Sequence, residues 1–173
     1  KIPSEYLPVY TEENEIRVLL GPQADYFSSN GLDTFLSSVY MITVNSNRMG
    51  YRLDGPMIAS KTGSDIITDG IPLGSIQVPN DGMPIVMLAD HQTTGGYAKI
   101  ATVISVDIDK FAQMKPGNKI KFRQTNIEHA HKLLWEREDS ITNLVFENEQ
   151  INKLKTGHSR LFRLKVKGKI YKV

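Results

Sequence analysis

The chain has 173 residues, room for one domain or two small ones, and its 40% hydrophobic and 23% charged fractions are ordinary for a globular protein. A net charge of +2 is too small to point to nucleic acid, and the lack of cysteine excludes disulfides and thiolate chemistry. The longest apolar run, Ile85-Val86-Met87-Leu88-Ala89, is far shorter than the ~20 residues that cross a bilayer, so the expectation is a cytoplasmic protein with no membrane and no nucleic-acid partner.

The opening Lys1-Ile2-Pro3-Ser4-Glu5 has neither a starting Met nor an apolar leader core, so the chain reads as a piece of something longer. Ile16 to Leu20 reads as a first strand, stopped by Gly21-Pro22. Pro22 suits the first turn of a short helix through Tyr26 and Phe27, which Gly31 ends. Val39 to Val44 is β-branched and aromatic, and Tyr51-Arg52-Leu53 continues a hairpin that Gly55-Pro56 closes. From Gly55 to Gly96 glycine and proline recur too often for long helices, which favours brief strands and tight loops. Ala98 to Val106 reads as a central strand. Asp107 is placed to cap a short helix through Phe111, and Thr125-Asn126-Ile127-Glu128 has capping-box spacing ahead of a helical face of Ile127, Ala130 and Leu134. The tail from Leu161 to Tyr171 alternates and turns at Gly168, a basic hairpin. Its lysines suit an edge strand, and it shows no aromatic platform for bases. The fold class expected is mostly β, a barrel with two or three short helices.

Several chemistries are absent from the sequence. There is no Walker-type loop, no dinucleotide fingerprint and no nucleophile elbow. His129 and His131 stand two apart on an expected helix, while His91 and His158 stand alone, so no metal site is expected. Three stretches carry candidate chemistry. In Asn45-Ser46-Asn47-Arg48-Met49-Gly50-Tyr51-Arg52, Arg48 and Arg52 fall on one face if the hairpin stays extended. Such a pair suits a carboxylate, phosphate or carbamate; it equally suits the protein's own acids. Gly50 between them permits close approach of a ligand or a neighbouring backbone. In Gly70 to Pro84, Gln77 can read an amide or carboxyl, or the segment is a rigid barrel loop. In Asp90-His91-Gln92-Thr93-Thr94-Gly95-Gly96-Tyr97, hydroxyls before a glycine pair can form a concave loop of N–H donors. There Asp90 could orient a neighbour or act as a base and Tyr97 could donate from its phenol; a turn with local threonine bonds is the alternative.

Taken in order, GPQADYF, NSNRMGYRLDGP, GIPLGSIQVPNDGMPIVMLADHQTTGGYAKIATVISVDID and PGNKIKF resemble one family across about Val9 to Leu134. It comprises allophanate hydrolase subunit 2, the C-type subunit of 5-oxoprolinase, KipA-type regulators and the carboxyltransferase domain of urea amidolyase. The resemblance implies two halves, each a cyclophilin-like β-barrel, of which this chain is the C-terminal one and holds one wall of the site. It implies residues 1–15 as a linker, 16–140 as the carboxyltransferase subdomain and 141–173 as an extension. It implies a part in opening 5-oxoproline to glutamate at the expense of ATP, or in moving a carboxyl group from carboxybiotin to urea. The regulatory alternative is binding to a partner that inhibits a sporulation kinase. On this resemblance Arg48, Tyr51, Asp90 and Tyr97 are the catalytic candidates, and Arg52, Gln77, Gln92, Thr93, Thr94, Gly95 and Gly96 the substrate-binding ones. No cofactor is expected on this chain; ATP, and biotin in the carboxyl-transferring members, would be used elsewhere in the complex. The partners implied are the chain's own N-terminal half and a protein of the allophanate hydrolase subunit 1 type (KipI, or the B-type subunit of 5-oxoprolinase).

Overall fold

The computed structural model describes residues 13–156, 163–166 and 169–172. Its strands in chain order are β1 (Glu13–Leu20), β2 (Val39–Ile42), β3 (Gly50–Asp54), β4 (Asp65–Gly70), β5 (Ser75–Gln77), β6 (Ile85–Met87), β7 (Thr94–Tyr97), β8 (Lys99–Val103), β9 (Lys119–Gln124), β10 (Arg163–Val166) and β11 (Lys169–Lys172). Three helices join them: α1 (Ser29–Ser37), α2 (Ser105–Ala112) and α3 (Ile127–Thr156). The chain divides after Leu134 into two units.

In the first unit seven strands close a barrel in the order β1-β8-β5-β6-β3-β2-β9. β1 shows why these residues become strands: Ile16 and Val18 are buried, whereas Glu15 between their faces is exposed. β9 repeats the pattern, with Ile120 and Phe122 inside and Lys119, Lys121 and Arg123 outside. These two strands meet in parallel, Glu13 against Lys119 through to Val18 against Gln124. The other barrel neighbours are antiparallel. A parallel seam needs a long crossover, and here the intervening barrel supplies it. β4 and β7 form a separate two-stranded sheet outside the barrel ladder.

Helices α1 and α2 each pack on the barrel with an aromatic contact among others. Phe35 of α1 stacks on Phe122 with ring centroids 4.6 Å apart, and Phe111 of α2 meets Tyr51 at 5.2 Å. Ser28 caps α1 by accepting from the Gly31 N–H at 3.0 Å. Gly31 therefore lies inside α1 and does not end a helix begun at Pro22. The Pro22 segment holds only a short 3-10 turn, Ala24–Tyr26, and a side chain at Gly31 would run into the carbonyl of Ala59.

Further expectations differ from the structure in caps and bounds. Asp107 is not the cap of α2: the helix starts at Ser105, and the Asp107 carboxylate accepts from the Arg17 backbone N–H at 2.8 Å and its guanidinium at 2.9 and 2.6 Å. The expected Ala98–Val106 strand is accordingly shorter, Lys99–Val103. The cap of α3 is Asn126, whose Oδ1 accepts from the His129 N–H at 2.8 Å, in place of the Thr125 box. α3 is also no short helix, at 30 residues. In the second unit β10 and β11 pair antiparallel, Arg163 with Lys172 through Val166 with Lys169, which is the basic hairpin expected; its turn residue Gly168 lies outside the described residues.

Candidate functional site

Strand register lays one row of side chains across the outside of the barrel. Arg52 of β3 stands opposite Ile85 of β6, Ile85 opposite Gln77 of β5, and Gln77 opposite Lys99 of β8. Opposed residues on neighbouring strands share a face, and the alternate positions Leu53, Val86 and Ile76 fill the core. The two-stranded β4–β7 sheet comes against this row. Gln77 Nε2 donates to the Tyr97 carbonyl at 3.2 Å, and a Cβ at Gly95 would stand 3.0 Å from Gln77 Nε2 and 2.7 Å from Ile71 Cδ1.

Between the wall and this sheet lies a cleft of about 190 Å³, the liquid volume of roughly six waters. Arg52, Gln77, Gln92 and Tyr97 line it, together with Asn45 and Asn47 from the β2–β3 connection. Four of the residues singled out in the sequence thus come together. Gln77 is 2% exposed, so its amide is fixed in the floor. Among the described residues the Arg52 guanidinium has no acidic partner. The lining holds amides, a phenol and a cation beside the apolar side chains of Met49, Ile85 and Met87, with no Asp, Glu or His. It can bind and orient a small polar anion or amide through donors and acceptors.

Arg48 does not join Arg52. The extended alternation that would place them on one face breaks at a tight turn, where Asn47 and Gly50 exchange backbone hydrogen bonds at 3.1 and 3.2 Å across Arg48-Met49. Asn47 Oδ1 accepts from the Met49 N–H at 2.8 Å and shapes the turn. Arg48, 82% exposed, instead forks onto Asp90, with Nε at 2.8 Å from Oδ2 and Nη2 at 3.1 Å from Oδ1. The Asp90 N–H also donates to the Arg48 carbonyl at 3.0 Å. This pair ties the β2–β3 turn to the segment after β6. Gly50 serves a neighbouring backbone, since a Cβ there would stand 3.0 Å from the Val86 carbonyl oxygen.

Tyr51 faces elsewhere. Its hydroxyl lies 3.0 Å from the Ala112 carbonyl and 3.2 Å from that of Met114, and burial pushes the phenol up from its ordinary range. Tyr51 and Arg48 line a second, more apolar cleft of about 440 Å³ against α2, with Leu73, Leu88 and Ile108.

The Thr93-Thr94-Gly95-Gly96-Tyr97 segment is not a concave loop of donors. Thr94–Tyr97 is strand β7, pairing Gly95 with Asp69 and Thr94 with Gly70, while the Thr93 carbonyl accepts from the Ile71 N–H at 2.9 Å. Gly95 serves close packing on Gln77, so the loop becomes a ladder.

Sequence reasoning passes over Lys99. It is 2% exposed, and its Nζ pairs with Asp69 Oδ2 at 2.7 Å. The Asp69 carboxyl is held below its ordinary range, first by the Lys99 hydrogen bond and then by the Gly70 N–H. Gln23 completes the group: its Oε1 accepts from the Lys99 N–H at 3.2 Å and its Nε2 donates to Asp69 Oδ2 at 3.4 Å. The available signal is a lone lysine in an otherwise apolar strand, AKIATVISV. Asn45 and Asn47 are equally visible beside the two arginines, whose charges make the stronger chemical signal.

The chain is thus a closed β-barrel with a cleft on its outer face that Arg52, Gln77, Gln92 and Tyr97 help to line. The family described as "Carboxyltransferase domain, subdomain A and B" matches residues 1–124, and the chain belongs to it. The C-type subunit of 5-oxoprolinase from Escherichia coli (strain K12) is 41% identical over 119 residues, 69% of this chain and 38% of the relative. Its counterpart from Haemophilus influenzae is 37% identical over 135 residues, 76% of this chain and 44% of the relative. The crystal structure of Kluyveromyces lactis urea carboxylase superposes with a TM-score of 0.78 at 27% identity, over 82% of this chain and 14% of that one. The chain therefore spans less than half the length of these relatives.

Proposed function

We propose that this chain supplies one wall of the substrate site in an ATP-dependent complex that opens 5-oxoproline to glutamate. The observation that carries this reading is Arg52, without an acidic partner among the described residues, in a cleft of about 190 Å³ that it shares with Gln77 and Gln92. 5-Oxoproline is a small lactam bearing a carboxylate. Arg52 takes the carboxylate through its planar fork. Gln77 and Gln92 face the lactam N–H and carbonyl with both donors and acceptors, and Tyr97 donates to the carbonyl oxygen. Opening the ring breaks the amide C–N bond, joins a water oxygen to the carbonyl carbon and puts a proton on the leaving nitrogen. The cleft's own residues bind and orient for this step. The base, the ATP and its phosphoryl transfer belong to the first half of the family's domain and to a partner resembling the B-type subunit of 5-oxoprolinase. In this reading Arg48 and Asp90 fix the turn that presents Asn47, Tyr51 anchors α2, and Thr93 to Gly96 seat Tyr97.

The second reading is carboxyl transfer to urea, supported by the likeness to urea carboxylase. There Arg52 would meet the transferred carboxyl group, and a biotin carrier would bring it. ATP-dependent release of glutamate from 5-oxoproline by the complete complex, and its loss when this chain is left out, tests the first reading. Turnover of urea in its place would move the assignment to the second.

A further inference from the structure

Lys99 is a buried cation whose partner belongs to a different sheet. Burying an ammonium costs several kcal/mol, and an apolar side chain of similar volume commonly leaves a protein as stable or more so. Stability is therefore a poor account of a lysine whose side chain is 3% exposed. Asp69 lies on β4, paired with Gly95 of β7, in the sheet that stands outside the barrel ladder. The register of β4 slips between Asp65 and Asp69, so four residues of β4 span two of β7. Such bulges re-aim side chains, and this one accompanies Asp69 reaching Lys99. Gln23, from the segment after β1, bonds both the lysine's backbone and the aspartate's carboxylate.

We propose that Lys99 is a positioning residue: with Asp69 and Gln23 it clasps the two-stranded β4–β7 sheet onto the barrel wall and so sets Tyr97 and Gln92 opposite Gln77 and Arg52. The clasp and the cleft are one construction. Lys99 and Gln77 are opposed on β8 and β5, and Gln77 holds the Tyr97 carbonyl beside Gly95. That the clasp serves catalysis rests on reading the cleft as the substrate site; that it holds the β4–β7 sheet does not.

Amide hydrogen exchange on the chain without substrate, comparing the unsubstituted protein with Lys99→Met and Asp69→Ala, tests the clasp. Asp69 is exposed on its outer side, so Asp69→Ala removes the partner without hollowing the core. The expected result is exchange in β4 and β7 faster by on the order of tenfold, with β1, β9 and the core strands unchanged, and recovery in Asp69→Glu. In the complete complex the same variants raise KM for 5-oxoproline more than they lower kcat. Unchanged exchange in β7, or equal acceleration through the whole barrel, would overturn the proposal. Faster β7 exchange in a protein whose complex never turns over 5-oxoproline would uphold the clasp and reject the substrate reading.

Discussion

At the scale of single residues, the two arginines of the β2–β3 hairpin test the account against each other. Arg52→Ala removes a charge-assisted contact to the substrate and raises KM by about 10- to 100-fold with kcat little changed, as steady-state kinetics of the complex will show. Arg48→Ala breaks an exposed pair with Asp90, whose loss costs about 1 kcal/mol or less by denaturant titration. Tyr40 makes a prediction in pH. Its buried phenol is pushed up to about 12, chiefly by burial, and its hydroxyl donates to the Pro56 carbonyl at 3.2 Å. In the unfolded chain a tyrosine titrates near 10. A raised folded value means that its contribution to stability is full below about pH 10 and is lost as pH rises towards 12. Thermal melts should fall across that window, and Tyr40→Phe should flatten the fall at a cost near neutrality of about 1 kcal/mol for the lost hydrogen bond.

At the scale of elements, α1 and α2 each make an aromatic contact with the barrel. Phe122→Ala empties the space under Phe35 and Tyr40 and should cost about 3–5 kcal/mol in a denaturant titration. Tyr51→Phe keeps the ring on Phe111 but drops the bond to the α2 carbonyls, which lowers stability by about 1 kcal/mol and leaves turnover per folded molecule unchanged. Equal loss of turnover and stability in that variant would return Tyr51 to the catalytic group.

These elements also show what the sequence could and could not tell. Strands such as β1 and β9 were legible because apolar and charged residues alternate along them. The hairpin at Arg48 was legible as a hairpin, but its turn position was not, because Asn47 shapes it through a side-chain bond that spacing does not reveal. The glycines of β7 looked like a loop signal; the reason for Gly95 is the nearness of Gln77, from a strand 18 positions away in sequence. Lys99 was hidden for the same reason: its burial depends on β4 and the Gln23 segment folding over it.

At the scale of the whole molecule, the barrel brings Arg52, Gln77, Gln92 and Tyr97 to one cleft on its outer face. On the proposed reading, a cleft holding Arg52 beside several amides would discriminate among small ligands by whether they bear a carboxylate next to an amide. That is a claim about differential binding, and removing the guanidinium should cost affinity for ligands with the carboxylate and little for ligands without it. Family membership rests on residues 1–124, and the length shared with the relatives means that the rest of their chemistry comes from segments outside this one.

The most direct test is ATP-dependent glutamate release from 5-oxoproline by the complete complex carrying Arg52→Ala, set beside the same complex carrying Arg48→Ala. The account predicts that Arg52→Ala raises KM by about 10- to 100-fold, while Arg48→Ala turns over as the unsubstituted complex does. Unaltered KM in Arg52→Ala, or a collapse of turnover in Arg48→Ala with Arg52→Ala intact, would contradict it.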